Sequence, residues 1–419
     1  MKFNYRIFSI HLIIFSFLSS SLSYTPLYSH NNVINLQLKA PEPDYWPTSL
    51  WKISSPEDQG LSAQKLQEME DHIDNDLNYY IDSIIVIRNG YLVYESYPSL
   101  IYDENDRHHI YSCTKVFTSA LIGIAIEEGL IGSVDDHVLD YFPEKNFDNM
   151  NSWKQSITIR QLLTMTSGIE WWDQINYYEM DGSSDWVQYI LDQPMAHQPG
   201  SVWNYNTGCS HLLSAILDRL TPSGTSDYLE SKLFDPLNIT NYSWTSGSQG
   251  IPIGGTLLHL TPRDMAKFGF LYLNNGYWNG SQLIPSEWIT ESITSYMNVP
   301  FDQGQGSGYG YQWWVYNWLN AYTARGSYEQ YITVVPDLNM VVISTANSEN
   351  FQFINLLVDY ILASAGFTPI NYLLVTSIFI VSVSVCTITV FLFFRIRKKK
   401  SIRKLKEKYL NGVNQEEDN

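Results

Sequence analysis

Ser112 and Lys115 are the two residues of this sequence whose types and spacing point most directly to chemistry. They begin the stretch YSCTKVFTSALIGIAIEEGLI (111–131), which otherwise has the apolar character of a buried helix. Residues three positions apart share a helix face, so the lysine amine can reach the serine hydroxyl. A neutral lysine could then take the serine proton, provided that burial lowers the lysine pKa from about 10.4. The alternative is a serine that caps a core helix beside an incidental lysine, because a short S-x-x-K pattern is common.

A tyrosine and a glycine further along the chain favour the catalytic interpretation. Tyr205 stands at the head of an apolar helix in PGSVWNYNTGCSHLLSAIL (199–217). A tyrosine beside a lysine can carry a proton between a serine and a leaving group. Gly326, in YTARGSYEQYITVV (322–335), is expected at the start of an edge strand, where the missing side chain lets a substrate approach the backbone.

Strands near both ends of the chain and helices between them would position these residues. Residues 62–78 have the apolar spacing of an amphipathic helix. Two β-rich runs flank Asn89-Gly90, a strong hairpin signal, and two more flank a turn at Pro336. Residues 112–300 are mostly helix and loop. This order predicts one α+β domain, in which an antiparallel sheet of N- and C-terminal strands is flanked by helices and a mostly helical subdomain lies between them.

Four stretches together resemble the serine β-lactamase and penicillin-binding-protein-like hydrolases. The nearest branch is that of class C β-lactamases, related esterases and 6-aminohexanoate-dimer hydrolases. Besides the two stretches around Ser112 and Tyr205, the resemblance rests on ITIRQLLTMTSGIEW (157–171) and GGTLLHLTPRDMAKFGFLYLNNGYWNGSQLIPSEWI (254–289), and it covers about residues 50–365. It implies a β-lactamase/transpeptidase-like fold and hydrolysis through a covalent acyl-serine intermediate.

The resemblance implies a role for each candidate residue. Ser112 would be the acylated nucleophile and Lys115 its general base. Tyr205 would begin the family's Y-x-N element, and Gly326 would match the glycine of the third motif. The backbone N–H groups of Ser112 and Ser327 would form the oxyanion hole, where two donors are worth several kcal/mol of transition-state stabilisation.

Two positions depart from the family pattern. The third residue of the Y-x-N element is Thr207 rather than asparagine, and Ala324-Arg325 stands where the family has Lys-Thr or His-Thr. In true β-lactamases the missing groups hold the carboxylate and the side-chain amide of the β-lactam, although Arg325 could replace the charge. The departures favour a serine esterase or amidase, acting on a small-molecule ester or amide, over an enzyme that turns over β-lactams efficiently.

Other functions stay open as alternatives. The sequence is compatible with a D-amino peptidase, with β-lactamase or penicillin-binding activity, and with a non-catalytic surface protein that uses the same fold to bind a partner. A non-catalytic protein predicts the loss of the nucleophile, the base or the tyrosine, yet Ser112, Lys115 and Tyr205 are all present.

Charge and composition limit the kinds of molecule that this protein is expected to bind. The chain has 25 Lys/Arg and 43 Asp/Glu, and nine of the basic residues lie in residues 395–419. The remainder is so acidic that we expect no nucleic-acid partner, because phosphates would be repelled. His108 and His109 lack further partners at ligand spacing, which predicts structural histidines and no metal site. Nothing in the sequence indicates a cofactor or a particular oligomeric state.

Both ends of the chain have the pattern of membrane signals. Residues 1–23 have the plan of a secretory signal peptide, and residues 24–50 that of a linker to the hydrolase domain at 51–365. Residues 371–394 carry no charge and can span a bilayer, and a basic tail, 395–419, follows directly. Because Lys/Arg clusters stay in the cytoplasm, we expect a single-pass protein with an extracytoplasmic catalytic domain, a cytoplasmic C-terminus and lipid contact through its C-terminal helix.

Overall fold

A central antiparallel sheet of eight strands runs through the part of the chain that the structure describes. This structure is a computed structural model, and it describes residues 43–75, 80–299, 307–348 and 353–367, which all fall within the unit Glu42–Asn419. The strands there are β1 (Ile81–Arg88), β2 (Tyr91–Ser96), β3 (His108–His109), β4 (Tyr242–Trp244), β5 (Leu258–Leu260), β6 (Tyr277–Trp278), β7 (Ser281–Gln282), β8 (Met297–Asn298), β9 (Gly308–Tyr309), β10 (Trp314–Tyr316), β11 (Ala321–Gly326), β12 (Gln330–Val335) and β13 (Met340–Ala346).

The order of the large sheet is β2-β1-β13-β12-β11-β10-β9-β8. Strands from the two ends of the domain are therefore neighbours, as the sequence predicts. Asn89 and Gly90 connect β1 to β2 with φ angles of 52° and 83°, the left-handed conformation that a tight two-residue hairpin requires. β13 pairs with β1 on one side and β12 on the other, and all its residues are buried because both faces of the sheet are covered.

Helices cover both faces of this sheet. α1 and the chain around α12 pack on one face through Leu66, Met69 and Ile361, whereas α10 packs on the other. The helices of the described residues are α1 (Ala63–Asn75), α2 (Thr114–Glu127), α3 (Ser152–Gln155), α4 (Ile159–Leu163), α5 (Asp173–Asp181), α6 (Trp186–Asp192), α7 (Thr207–Leu220), α8 (Gly224–Leu229), α9 (Asp235–Leu237), α10 (Pro262–Leu273), α11 (Ser286–Ser292) and α12 (Phe353–Leu356). This arrangement confirms the predicted α+β class.

The helix α2 lies at the junction between the sheet and the helical part of the fold. It contacts β11, α7 and α11, and its residues from Thr114 to Ala125 are all buried. A helix that is apolar on every side belongs in a core, because no face of it favours water. The residues immediately before α2 are consequently held on a rigid base.

The prediction for the strand around Gly326 is wrong in two respects. Gly326 ends β11 rather than beginning a strand, and β11 lies between β12 and β10 rather than at an edge. The reason is that the chain turns directly after Gly326 into β12, while β8 to β10 extend the sheet beyond β11. These short strands have no clear alternating pattern, so the sequence gives little sign of them.

The expected membrane segments lie outside the described residues. These are the signal peptide at 1–23, the span at 371–394 and the basic tail at 395–419. Within the described ranges, no helix is both long enough and apolar enough to cross a membrane.

Candidate active site

Ser112 and Lys115 meet at the start of α2. Ser112 lies in a short 3₁₀ turn, Tyr111–Cys113, that leads directly into the helix, and no side chain caps either element. Lys115 Nζ is 3.0 Å from Ser112 Oγ, and the lysine is 1% exposed. The capping alternative is therefore wrong, because the Ser112 hydroxyl contacts the amine rather than the helix backbone.

Lys115 is enclosed by hydrogen-bond partners and apolar groups. Its Nζ also lies 3.2 Å from Thr207 Oγ1 and 2.8 Å from the carbonyl oxygen of Gly255. Burial lowers the pKa of Lys115 to about 8, although the negative charge of Asp173 raises it in part. A lysine with this pKa is partly neutral near pH 8 and can accept a proton there.

Gly255 leaves room for this arrangement. A Cβ atom at Gly255 would lie 2.7 Å from Thr207 Cγ2 and 3.2 Å from Lys115 Nζ. Any side chain there would therefore collide with Thr207 and crowd the Lys115 amine. Glycine at this position lets the chain that precedes β5 close directly over the amine and offer it a backbone carbonyl.

Tyr205 completes the contact with the serine. It precedes Asn206, whose side chain caps α7 by accepting a hydrogen bond from the N–H of Cys209. The Tyr205 phenol lies beside the Ser112 hydroxyl, and Lys115 Nζ is 4.9 Å from the centre of the tyrosine ring. Burial first, and then the charge of Asp173, raise the pKa of Tyr205 well above its usual range, so its phenol stays protonated.

Thr207, the first residue of α7, is tied to Asp173, the first residue of α5. Thr207 Oγ1 donates to Asp173 Oδ2 at 2.6 Å, and the Thr207 N–H donates to Asp173 Oδ1 at 2.9 Å. The indole N–H of buried Trp171 also donates to Oδ1, at 2.5 Å. The resemblance places Thr207 in the substrate-binding element, whereas its hydroxyl contacts Lys115 and Asp173.

Gly326 holds the end of β11 against the turn that contains Ser112. A Cβ atom at Gly326 would lie 2.5 Å from the carbonyl oxygen of Ile110 and 3.1 Å from Tyr111 Cβ. Tyr111 has a φ of 45°, a strained conformation for a bulky residue directly before Ser112. Ser327 follows Gly326 as an exposed residue. Gly326, next to Ser327, thus packs closely against the chain at Ile110 and Tyr111, directly before Ser112.

Arg325 packs on the ring of Trp314, which lies beside Tyr205. Its guanidinium carbon is 4.5 Å from the centre of the Trp314 ring, and the side chain also hydrogen-bonds Tyr331. Trp314 stacks on Tyr205 with ring centres 6.3 Å apart. The positive charge of Arg325 acts to lower the pKa of Tyr205, against the dominant effect of burial. Arg325 therefore brings a positive charge next to the group of Ser112.

The two histidines before the turn have structural contacts. His109 Nε2 accepts a hydrogen bond from the N–H of Leu257 at 3.1 Å, and its ring stacks on Tyr111 at 3.7 Å. His108 Nδ1 is 3.7 Å from Asp82 Oδ2. Burial lowers the pKa of both histidines to about 4, so both rings are neutral near pH 7.

Three residues of the site are absent from the sequence-based candidates. The sequence around Asp173 gives little indication of a functional role, because an acidic residue at a helix start is common for structural reasons alone. Gly255 had a better one, because the pair Gly254-Gly255 interrupts an apolar stretch and implies close backbone approach. Trp314 had none, because one tryptophan among 13 cannot be assigned to a site by spacing.

Comparisons of the sequence with known proteins point to one family. The model of the Beta-lactamase family matches residues 69–365, more than half of the chain, and these include the whole cluster around Ser112. The chain is 24% identical over 306 residues to an uncharacterised protein from Alkalihalophilus pseudofirmus, covering 65% of this chain and 86% of that protein. It is 27% identical over 199 residues to protein flp from Staphylococcus aureus, covering 44% of this chain and 39% of that protein's length.

Comparison with solved structures gives the same result. A candidate 6-aminohexanoate-dimer hydrolase from Bacillus anthracis matches with a TM-score of 0.63 and 25% identity, over 75% of this chain and 87% of that chain. Penicillin-binding-protein homologues and a D-stereospecific amidohydrolase share the fold at lower sequence identity.

Proposed function

Because the chain belongs to the beta-lactamase family, whose members are serine hydrolases, we propose that it hydrolyses small-molecule esters or amides through an acyl group carried by Ser112. The fold is that of β-lactamases and transpeptidases, as the resemblance implied. The observation that carries the proposal is the 3.0 Å contact between Ser112 Oγ and the Nζ of a lysine that burial makes weakly basic. Such a pair can generate an alkoxide-like nucleophile without a histidine.

The first half of the proposed reaction is acylation. Neutral Lys115 takes the hydroxyl proton of Ser112 while Oγ attacks the carbonyl carbon of the substrate. The carbonyl oxygen becomes an oxyanion that the N–H groups of Ser112 and Ser327 bind, a role supported by the close packing of Gly326 against Ile110 and Tyr111. Tyr205, a protonated phenol in contact with Ser112, donates a proton to the departing oxygen or nitrogen.

The second half is deacylation by water. Lys115 first passes the proton that it gained in acylation to the deprotonated Tyr205, so that both groups regain their starting state. A water molecule then attacks the ester carbonyl of acyl-Ser112 and gives a proton to neutral Lys115, while Tyr205 donates its proton to the departing Ser112 Oγ. The carboxylic acid product then departs and the enzyme returns to its starting state. At the end of each half-reaction one proton passes from Lys115 to Tyr205, whose ring lies 4.9 Å from Nζ, and this restores the starting protonation state of both groups.

The surroundings of the nucleophile favour ester or amide substrates over β-lactams. Thr207 is bonded to Lys115 and Asp173, so its hydroxyl is not offered to a substrate amide. Arg325 replaces the charge, but not the threonine hydroxyl, of the third family motif. D-amino peptidase or β-lactamase activity is the second candidate. The likeness to a D-stereospecific amidohydrolase supports the fold needed for it, but at 16% identity it supports no more than that.

We also propose that the enzyme is anchored by residues 371–394, with the hydrolase domain outside the cytoplasm and the tail 395–419 inside. The support is the charge-free segment followed directly by a basic cluster. Protease added to intact cells that carry epitope tags at residue 45 and at the C-terminus tests this arrangement. We expect loss of the first tag and survival of the second, and survival of both tags would contradict it.

The experiment that tests the proposed function is a substrate screen on three proteins. Wild type, Ser112→Ala and Ser119→Ala are assayed with short acyl esters, anilides, D-amino peptides and nitrocefin. Ser119 is the matched control, because it is a buried serine of the same helix whose Oγ has no hydrogen-bond partner within the described ranges. We expect hydrolysis of esters or amides by wild type and Ser119→Ala, and none by Ser112→Ala. Hydrolysis by Ser112→Ala at the wild-type rate would sink the proposal.

A further inference from the structure

We infer that Asp173 is a positioning residue: it fixes the direction of the Thr207 hydroxyl, and thereby aims the lone pair of Lys115 at Ser112. This inference rests on the proposed function, since it concerns the same nucleophile and base. It is carried by a continuous chain of contacts from Asp173 through Thr207 and Lys115 to Ser112, with no gap longer than 3.2 Å.

The direction of the Thr207 hydroxyl follows from counting protons. Thr207 Oγ1 donates its proton to Asp173 Oδ2 across 2.6 Å, as a hydroxyl does to a carboxylate oxygen. A hydroxyl has one proton and two lone pairs. Thr207 Oγ1 can therefore act towards Lys115 only as an acceptor, at 3.2 Å.

The same count fixes the orientation of the amine. Neutral Lys115 has two N–H bonds and one lone pair. The carbonyl oxygen of Gly255 accepts one N–H at 2.8 Å, and Thr207 Oγ1 accepts the other. Only the lone pair remains for the third neighbour, Ser112, which is the orientation that a general base needs.

Asp173 is itself held firmly enough for this task. Its Oδ1 accepts the N–H of Thr207 and the indole N–H of Trp171, a residue that is 1% exposed. These two bonds leave Oδ2 pointing at the Thr207 hydroxyl. An asparagine at position 207 would present a carbonyl acceptor of fixed direction, whereas a threonine hydroxyl can rotate. Asp173 thus supplies the direction that threonine lacks.

The charges around Lys115 give the inference a second, independent consequence. The titratable groups that face it are Asp173 from α5, Cys209 from α7, Cys113 and Tyr205. Burial raises the pKa of Tyr205 and of both cysteines, so these groups are neutral where the enzyme works. The negative charge that favours the protonated amine is therefore that of Asp173, and its removal should make Lys115 a weaker base.

The test is a comparison of Asp173→Asn with wild type and with the control Asp185→Asn. Asp185 is also an acidic residue at a helix start, where its side chain accepts the N–H of Gln188, but it is not among the groups that face Lys115. We expect kcat/KM of Asp173→Asn to fall roughly 10²-fold, as when a reacting group is misplaced by about 1 Å. The basic limb of its pH profile should also move to lower pH, while Asp185→Asn keeps the wild-type profile.

A double-mutant cycle separates positioning from a general structural role. In a Thr207→Asn background the acceptor no longer rotates, so Asp173→Asn should lower the rate less than about threefold. An unchanged rate and pH limb in Asp173→Asn would overturn the inference, and so would an equal loss in both backgrounds.

A further variant covers the case in which Asp173→Asn does not fold. Thr207→Val keeps the shape of the side chain and removes the acceptor, so we expect the same loss, and a wild-type rate would overturn the inference. Failure of the proposed function is distinguishable, because wild type itself would then show no hydrolysis that depends on Ser112.

Discussion

Lys115 Nζ lies 3.0 Å from Ser112 Oγ while the lysine side chain is 1% exposed to solvent. These two facts belong together, since an exposed lysine at the same distance would be protonated near pH 7 and could not accept a proton. The Lys115 amine is buried beside Gly255, and this burial lowers its pKa. The same packing fixes the distance, so little reorganisation is needed when the serine reacts.

The first prediction concerns pH. Lys115 has a pKa lowered to about 8, so it is charged and inactive as a base below that value and neutral above it. We expect kcat/KM to rise with pH, with a midpoint near 8, and then to level off, because Tyr205 keeps its proton to much higher pH. Stopped-flow acylation with an activated ester measures the chemical step directly. A rate that does not change across this range would contradict a lysine base.

A second prediction separates the roles of Tyr205 and Lys115. A stable anion such as p-nitrophenolate can leave without a proton, whereas the oxygen of an alkyl ester and the nitrogen of an anilide must be protonated as they leave. Tyr205→Phe should therefore lower the rate constant of acylation, measured in single turnovers, by roughly 10²-fold or more for alkyl esters and anilides, but much less for p-nitrophenyl esters. Lys115→Ala, by comparison, should impair both substrate classes. An equal loss for both classes in Tyr205→Phe would show that the tyrosine does not protonate the leaving group.

Arg325 should select the charge of the substrate. Its guanidinium lies over Trp314, which stacks on Tyr205, so a substrate carboxylate near the acyl group can reach it. We expect Arg325→Gln to raise KM about 10-fold or more for esters that carry a carboxylate, in line with loss of a charge-assisted hydrogen bond. Neutral esters should be little affected.

Arg219→Gln is the matched control for Arg325, because Arg219 is paired with Glu144 on the surface. It should leave the preference between charged and neutral esters as in wild type. If Arg325→Gln also leaves this preference unchanged, Arg325 has only a packing role on Trp314.

Gly326 gives a prediction about geometry rather than charge. A methyl group there would lie 2.5 Å from the Ile110 carbonyl oxygen, so Gly326→Ala must push β11 away from the turn that contains Ser112. We expect loss of most activity and a lower melting temperature. Gly182→Ala is the control, since a Cβ at that position lies 3.6 Å from its nearest neighbours. Full activity in Gly326→Ala would mean that Ser327 does not contribute to the oxyanion hole.

The parts of the fold that local patterns determine were predictable. The Asn89-Gly90 hairpin and the two strands around Pro336 have distinct signals, and both lie where expected. The strands that extend the sheet beyond β11 were not predictable, because β8, β9 and β10 have two or three residues each and owe their conformation to pairing in the sheet. The position of Gly326 inside the sheet follows from those strands.

The candidate site divides in the same way. Ser112 and Lys115 are linked by local helix geometry, and the contact between them is present as predicted. Asp173 reaches the site through a tertiary contact between the starts of α5 and α7, for which the sequence holds no marker. The sequence shows that Thr207 stands where the family pattern has asparagine. Which groups the threonine contacts could be seen only once the structure placed Asp173 beside it. Local spacing thus identifies the proposed nucleophile and base, and packing decides which other groups contact them.

The most direct test of the central proposal is the site of covalent capture. Wild-type protein is treated with a fluorophosphonate, digested, and sequenced by mass spectrometry, with Ser112→Ala and Ser119→Ala treated in parallel. We expect one phosphonyl group on the peptide that contains Ser112 in wild type and Ser119→Ala, and no adduct in Ser112→Ala. An adduct on another residue of wild type, or capture that persists in Ser112→Ala, would contradict the assignment of Ser112 as the nucleophile.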